Sequence, residues 1–218
     1  MRIEWLGHAC FKVVSESGLV IITDPYQAGF RDIISYAPVD AAADIVTVSH
    51  EHGDHNHVAA VSGGPAVVRG AGRHRTGGIE FTGLGVFHDA VSGAERGPNT
   101  IFTFEVDGIR LTHLGDLGHP LSGGQLAGLA GTDVLLAPTG GPRATLELAD
   151  VIALWETLQP RIVIPMHFRN DRCSFPQYGA DDLMVRVPMA ARAGSTEMRL
   201  DRETLPARTE VVLLDPAR

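Results

Sequence analysis

The stretch Ser49-His50-Glu51-His52-Gly53-Asp54-His55 follows directly on Ile45-Val46-Thr47-Val48, and the two together decide how the chain is to be read. A short β-branched run predicts a buried strand, so the histidines fall in the loop at its carboxyl end, where a rigid element holds side chains in place. Two imidazoles at alternate positions can converge on one ion, and Asp54 with His55 can reach a second beside it. Imidazole together with carboxylate suits zinc first, and iron or manganese less selectively. The competing interpretation is a histidine-rich surface loop, and residues further along the chain decide against it.

His88 ends the run Gly83 to Phe87, Asp116 follows Ile109 to Leu114, and His167 follows Ile162 to Ile164. Each therefore falls just past a predicted strand. Singly, any of these histidines is more often a packed or solvated residue than a ligand. Two of them and an aspartate, all three in equivalent positions, make a ligand set with the first motif.

The first quarter of the chain reads as short strands at Ile3 to Leu6, Cys10 to Val14 and Leu19 to Thr23, with Ser15 to Gly18 as a hairpin turn. Weaker strand signals lie at Ala66 to Val68 and Ile79 to Thr82. Clearer ones, Thr100 to Val106 and Ile109 to Leu114, are joined by Asp107-Gly108, a strong hairpin signal. The second half changes character. Val134 to Ala137 and Arg161 to Ile164 flank a stretch with Leu148, Val151, Ile152, Trp155 and Leu158 at helical spacing, stopped by Pro160. Gly123 to Ala130 predicts a shorter helix, residues 170–206 an irregular segment, and Val211 to Leu214 a last strand. The pattern is mixed α/β, and the 218 residues are expected to form one domain.

A formal charge of −8 gives no general basic footprint, which argues against long nucleic acids and anionic membrane surfaces and favours a small-molecule substrate. Homo-oligomerisation is left open. Cys10 and Cys173 show no disulfide spacing and read as unpaired thiols of a reducing compartment. The start Met1-Arg2-Ile3-Glu4-Trp5 has no signal-peptide pattern, and no apolar run approaches the roughly 20 residues of a membrane helix, so a cytoplasmic protein with no membrane contact is expected.

With His50, His52, Asp54 and His55 as a His-x-His-x-Asp-His motif, and His88, Asp116 and His167 matching later motifs, the chain resembles the metallo-β-lactamase superfamily. Trp5-Leu6-Gly7-His8-Ala9-Cys10-Phe11, Thr23-Asp24-Pro25, Gly115-Asp116-Leu117-Gly118-His119 and Ile164-Pro165-Met166-His167-Phe168 extend the likeness to its small single-domain branch, similar to L-ascorbate-6-phosphate lactonase-like proteins. The resemblance implies a four-layer αββα sandwich and two divalent ions. One would be held by His50, His52 and His88, the other by Asp54, His55 and His167, with Asp116 bridging. Asp24 would orient the ligand loop without binding metal.

The activity implied is hydrolysis by a bridging hydroxide, with Asp54 and Asp116 as catalytic groups and a lactone, ester, amide or phosphodiester as substrate. Redox diiron relatives carry glutamate where this chain has His52. Zinc β-lactamases carry cysteine where it has Asp116. The alternative from another class is a metal-dependent sensor that binds a metabolite without turnover. Around the ligands, Arg96 and Asn99 are candidate substrate contacts, balanced against a solvated loop. His119 is a candidate leaving-group acid, and His8 a candidate substrate contact or structural hydrogen bonder. His113 is expected to be a packed histidine with a satisfied partner, and His57 and His74 surface residues. Arg69 to Arg75, and Arg169 with Arg172, are basic clusters that would favour an anionic substrate only if they lined the pocket.

Overall fold

The computed structural model describes residues 1–218. The chain begins with β1 (Arg2–Gly7), β2 (Cys10–Val14) and β3 (Val20–Thr23), followed by β4 (Ala41–Ala42), β5 (Ile45–Val48), β6 (Val61–Ser62) and β7 (Ala66–Arg69). Next come β8 (Gly72–Thr76), β9 (Ile79–Phe87), β10 (Pro98–Val106) and β11 (Ile109–His113). Helices then alternate with strands: α1 (Gly123–Gly128), β12 (Val134–Pro138), α2 (Leu148–Leu158), β13 (Ile162–Met166) and α3 (Ala180–Arg186). The chain closes with β14 (Ala191–Arg192), β15 (Glu197–Arg199) and β16 (Glu210–Leu213). The strands form a six-stranded sheet, β15-β1-β2-β3-β5-β7, and an eight-stranded sheet, β14-β16-β13-β12-β11-β10-β9-β8.

Burial explains the pairing. Every residue of β5, β12 and β13 is buried, and each strand runs parallel to its neighbours, as near-continuous apolar strands covered on both faces do. β10 and β11 are antiparallel and turn at Asp107 and Gly108, both with positive φ (52° and 73°), the geometry that an Asp-Gly pair tolerates. α2 buries Leu148, Val151, Leu154 and Trp155, and ends at Gln159 in the left-handed conformation, just before Pro160.

The expected sandwich is present. Trp5, Phe11, Phe81, Phe102, Phe104 and Ile164 belong to a core shared by strands of both sheets. A second apolar cluster lies between the larger sheet and all three helices, through Leu126, Val151, Trp155 and Leu183. The layer outside the smaller sheet has no α-helix. There Tyr26, Ile34, Tyr36 and Val39 pack with strand residues Leu6, Ile22 and Val46 from a segment of turns and single-turn helices. Pro25, Gly29 and Pro38 interrupt any helical period in that segment, so its apolar residues reach the sheet from loop conformations.

Three local expectations change. Ile79 to Thr82 and Gly83 to Phe87 are one strand, β9. β8 carries Arg73, His74 and Arg75, whose polarity hides a strand from sequence patterning. It forms because β9 supplies a hydrogen-bonding edge, and its charges suit a sheet margin. Residues 170–206, expected to be irregular, contain α3, β14 and β15. Both cysteines are free and buried. No helix is long and apolar enough to cross a membrane.

Candidate metal centre

The ends of β3, β5, β9, β11 and β13 meet at one rim of the sandwich, and so do the side chains that follow them. Asp116 Oδ2 lies 3.2 Å from Nε2 of each of His55, His88 and His167, and 3.9 Å from His50 Nε2. His50 Nε2 is 3.1 Å from His52 Nδ1. His50, His52 and His88 form one convergent group, and Asp54, His55 and His167 fall in another together with His8. Thus the seven residues singled out as ligands are brought together from four separate strand ends.

Asp24 organises the loop from behind. Its Oδ1 accepts the Ser49 backbone N–H, and its Oδ2 accepts both the Ser49 hydroxyl and His55 Nδ1–H, the last at 2.9 Å. With the Ser49 proton committed to Asp24, the 2.9 Å contact to His50 is a donation by His50 Nδ1–H to Ser49 Oγ. Both rings therefore commit Nδ1 to these partners and turn Nε2 towards Asp116, the orientation a ligating imidazole needs. Replacing Asp24 by asparagine is expected to weaken metal binding by roughly 10- to 100-fold without unfolding the chain. Competition against a chromophoric chelator measures this, and unchanged affinity would show that Asp24 only supports the backbone.

The cluster leaves buried polar atoms without hydrogen bonds: Nε2 of His8 and His55, Nδ1 of His88, both ring nitrogens of His167, and Asp116 Oδ1. Such orphans are costly unless something absent from the chain satisfies them. Nitrogen and carboxylate oxygen donors in a buried cavity fit divalent cations, so the residues pass the test of fitting the metal that their types suggest.

Electrostatics point the same way. Burial raises the affinity of Asp54 and Asp116 for a proton, but neighbouring imidazoles outweigh it: His55 and His8 hold Asp54 well below the usual carboxylate range, and His167, His55 and His88 do the same for Asp116. Burial, reinforced by His55, keeps His50 far below its ordinary value. Burial and the His167 ring bring His8 down to about 3. His55 moves up despite burial, because the Asp116 and Asp54 carboxylates face it. Ionised carboxylates among mostly neutral imidazoles are what a cation requires of its ligands.

The candidate substrate contacts fare unevenly. Asn99 is corrected: it is 1 % exposed, its Nδ2 donates to Leu114 O and its Oδ1 accepts from Asp116 N–H, so both ends of the amide hold the Asp116 turn. His119 is likewise corrected as a proton donor. Its Nδ1–H donates to Pro120 O and its Nε2 accepts from Phe87 N–H, leaving no ring nitrogen free. Arg96 does line the cavity beside His52, Asp54, His88 and Asp116, with its guanidinium fastened to the carbonyls of Ala144 and Arg143. His8 is fully buried against the same cluster, its ring centroid 3.9 Å from that of His167. His113 donates through Nε2 to Ala9 O and accepts at Nδ1 from Gly115 N–H, as a packed histidine should. His57 and His74 are both partly exposed.

The cavity has a volume of about 410 Å³ and is walled by Phe30, Ile33 and Phe175 as well as by Arg31, Arg96 and Arg143. Phe175 is the contribution of residues 170–206; α3 packs instead on the larger sheet. Arg169 and Arg172 line a separate hollow, and Arg69 pairs with Glu51.

Sequence reasoning missed Ser49, although its place beside His50 was a signal, and Asp89. The Asp89 carboxylate accepts four backbone N–H groups of the loop it begins, from Val91, Gly93, Glu95 and Arg96. Burial opposes its ionisation, but those donors hold it at about 2, so the loop carrying Arg96 stays pinned at neutral pH.

A family model for the beta-lactamase superfamily domain matches residues 2–167. The UPF0173 metal-dependent hydrolase of Archaeoglobus fulgidus is 28% identical over 227 residues, covering 91% of this chain and 94% of that protein. A counterpart in Carboxydothermus hydrogenoformans is 30% identical over 198 residues, covering 78% and 85%. Among solved structures, a candidate Zn-dependent hydrolase of the metallo-β-lactamase superfamily from Thermotoga maritima superposes with a TM-score of 0.79 at 30% identity, over 98% of this chain and 97% of that one.

Proposed function

The chain belongs to the metallo-β-lactamase superfamily, and from that premise we propose that it is a metal-dependent hydrolase with a two-ion centre, zinc by first preference, acting on a small cytoplasmic substrate. The observation that carries this is the set of buried, hydrogen-bond-free polar atoms gathered around Asp116: its own Oδ1, Nε2 of His55, both ring nitrogens of His167 and Nδ1 of His88. His50, His52 and His88 would hold one ion, Asp54, His55 and His167 the other, and Asp116 would lie between them. When bound, two such ions supply a hydroxide nucleophile at neutral pH and polarise the oxygen of the bond under attack.

The chain's own residues do the rest. Asp24 and Ser49 fix the rings of His55 and His50, so little reorganisation is needed during reaction. Asp54, on the cavity wall, orients the attacking water through its carboxylate. Phe30 and Phe175 exclude bulk solvent from one side, and Arg96 offers a fixed cation to a carbonyl, carboxylate or phosphoryl oxygen. Lactones, esters, amides and small phosphodiesters all fit these elements.

Purified protein loaded with zinc or manganese is expected to hydrolyse at least one member of a panel drawn from those four classes, to lose the activity on chelation and to regain it on adding metal back. Stoichiometric metal with no turnover across the panel would instead identify a metal-dependent sensor. Less than about one metal per chain would sink the centre itself.

A further inference from the structure

His8 is not among the seven motif residues, yet it points its imidazole into the same group of donors as Asp54, His55 and His167. It is fully buried. Its Nε2 lies 3.3 Å from Asp54 Oδ2 but makes no hydrogen bond. The Nε2 atoms of His55 and His167 stand in the same relation to Asp116 Oδ2, at 3.2 Å each and likewise without a hydrogen bond. Donors held at about 3.3 Å and not aimed at one another are what the edge of a polyhedron around one cation requires, since ligand bonds of about 2.0–2.1 Å subtend edges of that length.

The ring is also held in place. The His8 carbonyl accepts from Trp5 Nε1–H at 2.9 Å and from His167 N–H at 3.1 Å, tying the β1–β2 turn to the residue at the end of β13. Its Nδ1 faces Cys173 Sγ at 3.8 Å, so the other ring nitrogen is the one presented to the cluster. The backbone of His8 is left-handed, with φ 54°, a conformation paid for by few non-glycine residues and marking a position set by its surroundings.

We propose that His8 Nε2 is a fourth side-chain ligand in the deeper half of the centre, joining Asp54, His55 and His167, so that this half takes up its divalent ion first and releases it last. The proposal rests on the two-ion reading above and adds an order to it. The deeper half then counts four donors of its own against three in the outer one. Its residues are all buried, whereas His52 in the outer half is exposed. More donors, one of them a carboxylate, and less competition from water both favour the deeper half.

Zinc titration against a chromophoric chelator is expected to show two steps in the unaltered protein. His8→Asn tolerates the left-handed backbone but is too short to ligate, and it should weaken the tight step by at least about a hundredfold while sparing the weak one. His52→Ala should abolish the weak step and spare the tight one. X-ray absorption of His52→Ala carrying one equivalent of zinc should then count three imidazoles per ion, which decides the matter even if His8→Asn does not fold. Two imidazoles per ion, or a natively folded His8→Asn with the tight step unchanged, would overturn the proposal. Failure of the unaltered protein to take up zinc in either step would overturn the two-ion function instead.

Discussion

Asp116→Asn is expected to lower hydrolytic turnover by on the order of a thousandfold, the loss seen when a preorganised charge is removed from a reacting centre, or about 4 kcal/mol of barrier. Its carboxylate is the common neighbour of His55, His88 and His167, which come from three different strand ends, and no other acidic group occupies that position. Asparagine preserves the shape and the backbone N–H that Asn99 accepts, so the turn after β11 should persist. The change therefore separates charge from architecture. In thermal unfolding, the variant should resemble the chelated protein, because the stabilisation given by bound metal scales with the logarithm of its affinity. Turnover within a factor of ten of the unaltered protein, with two metals still bound, would remove Asp116 from the mechanism.

A second large effect is expected at a residue that carries no side chain at all. Gly118 lies two residues after Asp116, where the loop leaving β11 passes over the end of β9, and its N–H donates to Phe87 O at 3.0 Å. A Cβ there would sit 2.2 Å from the carbonyl carbon of His88, 2.3 Å from the nitrogen of Asp89 and 2.4 Å from the His88 oxygen. All three are backbone atoms, so no rotamer change relieves the overlap. The loop must lift from β9, which moves Asp116 away from His88. Gly118→Ala is expected to cost about 3 kcal/mol or more in stability, lowering Tm by roughly 6–12 °C for a chain of this size, and to reduce metal affinity as well. Gly124→Ala is the control. It lies in α1, an added Cβ meets nothing within 4 Å, and alanine is the better helix former, so Tm should hold or rise slightly. Similar Tm values for the two variants would refute the close-approach argument.

These two residues also mark what kind of information each level of description carries. Asp116 was legible in the sequence because ligand chemistry is local: a carboxylate or imidazole just after an apolar run announces itself whatever the run later pairs with. The same holds for His50 to His55 after β5, for His88 and His167, and for the Asp107-Gly108 hairpin, whose backbone preference needs no distant partner. Gly118 was quoted in the sequence only as part of a motif. Its importance is the distance to another strand's backbone, which no pattern along the chain encodes.

Asn99 and His8, both candidate substrate contacts in the sequence, part company in space for the same reason. In sequence Asn99 sits at the end of a polar loop and looks available to a ligand, whereas in space its amide is consumed by Leu114 and Asp116. His8 reads as a turn residue that could touch substrate or make a structural hydrogen bond, and the packing of the β1–β2 turn against the end of β13 puts it among the buried donors. β8, too polar to be read as a strand, exists because β9 offers it an edge. The sequence by itself determined the donor types, their order and the strand ends that carry them, because those follow from residue chemistry and short-range periodicity. The tertiary structure decided which polar groups are spent on one another and which remain free for a cation, because that depends on contacts between distant segments, such as His8 with Cys173, 165 residues away.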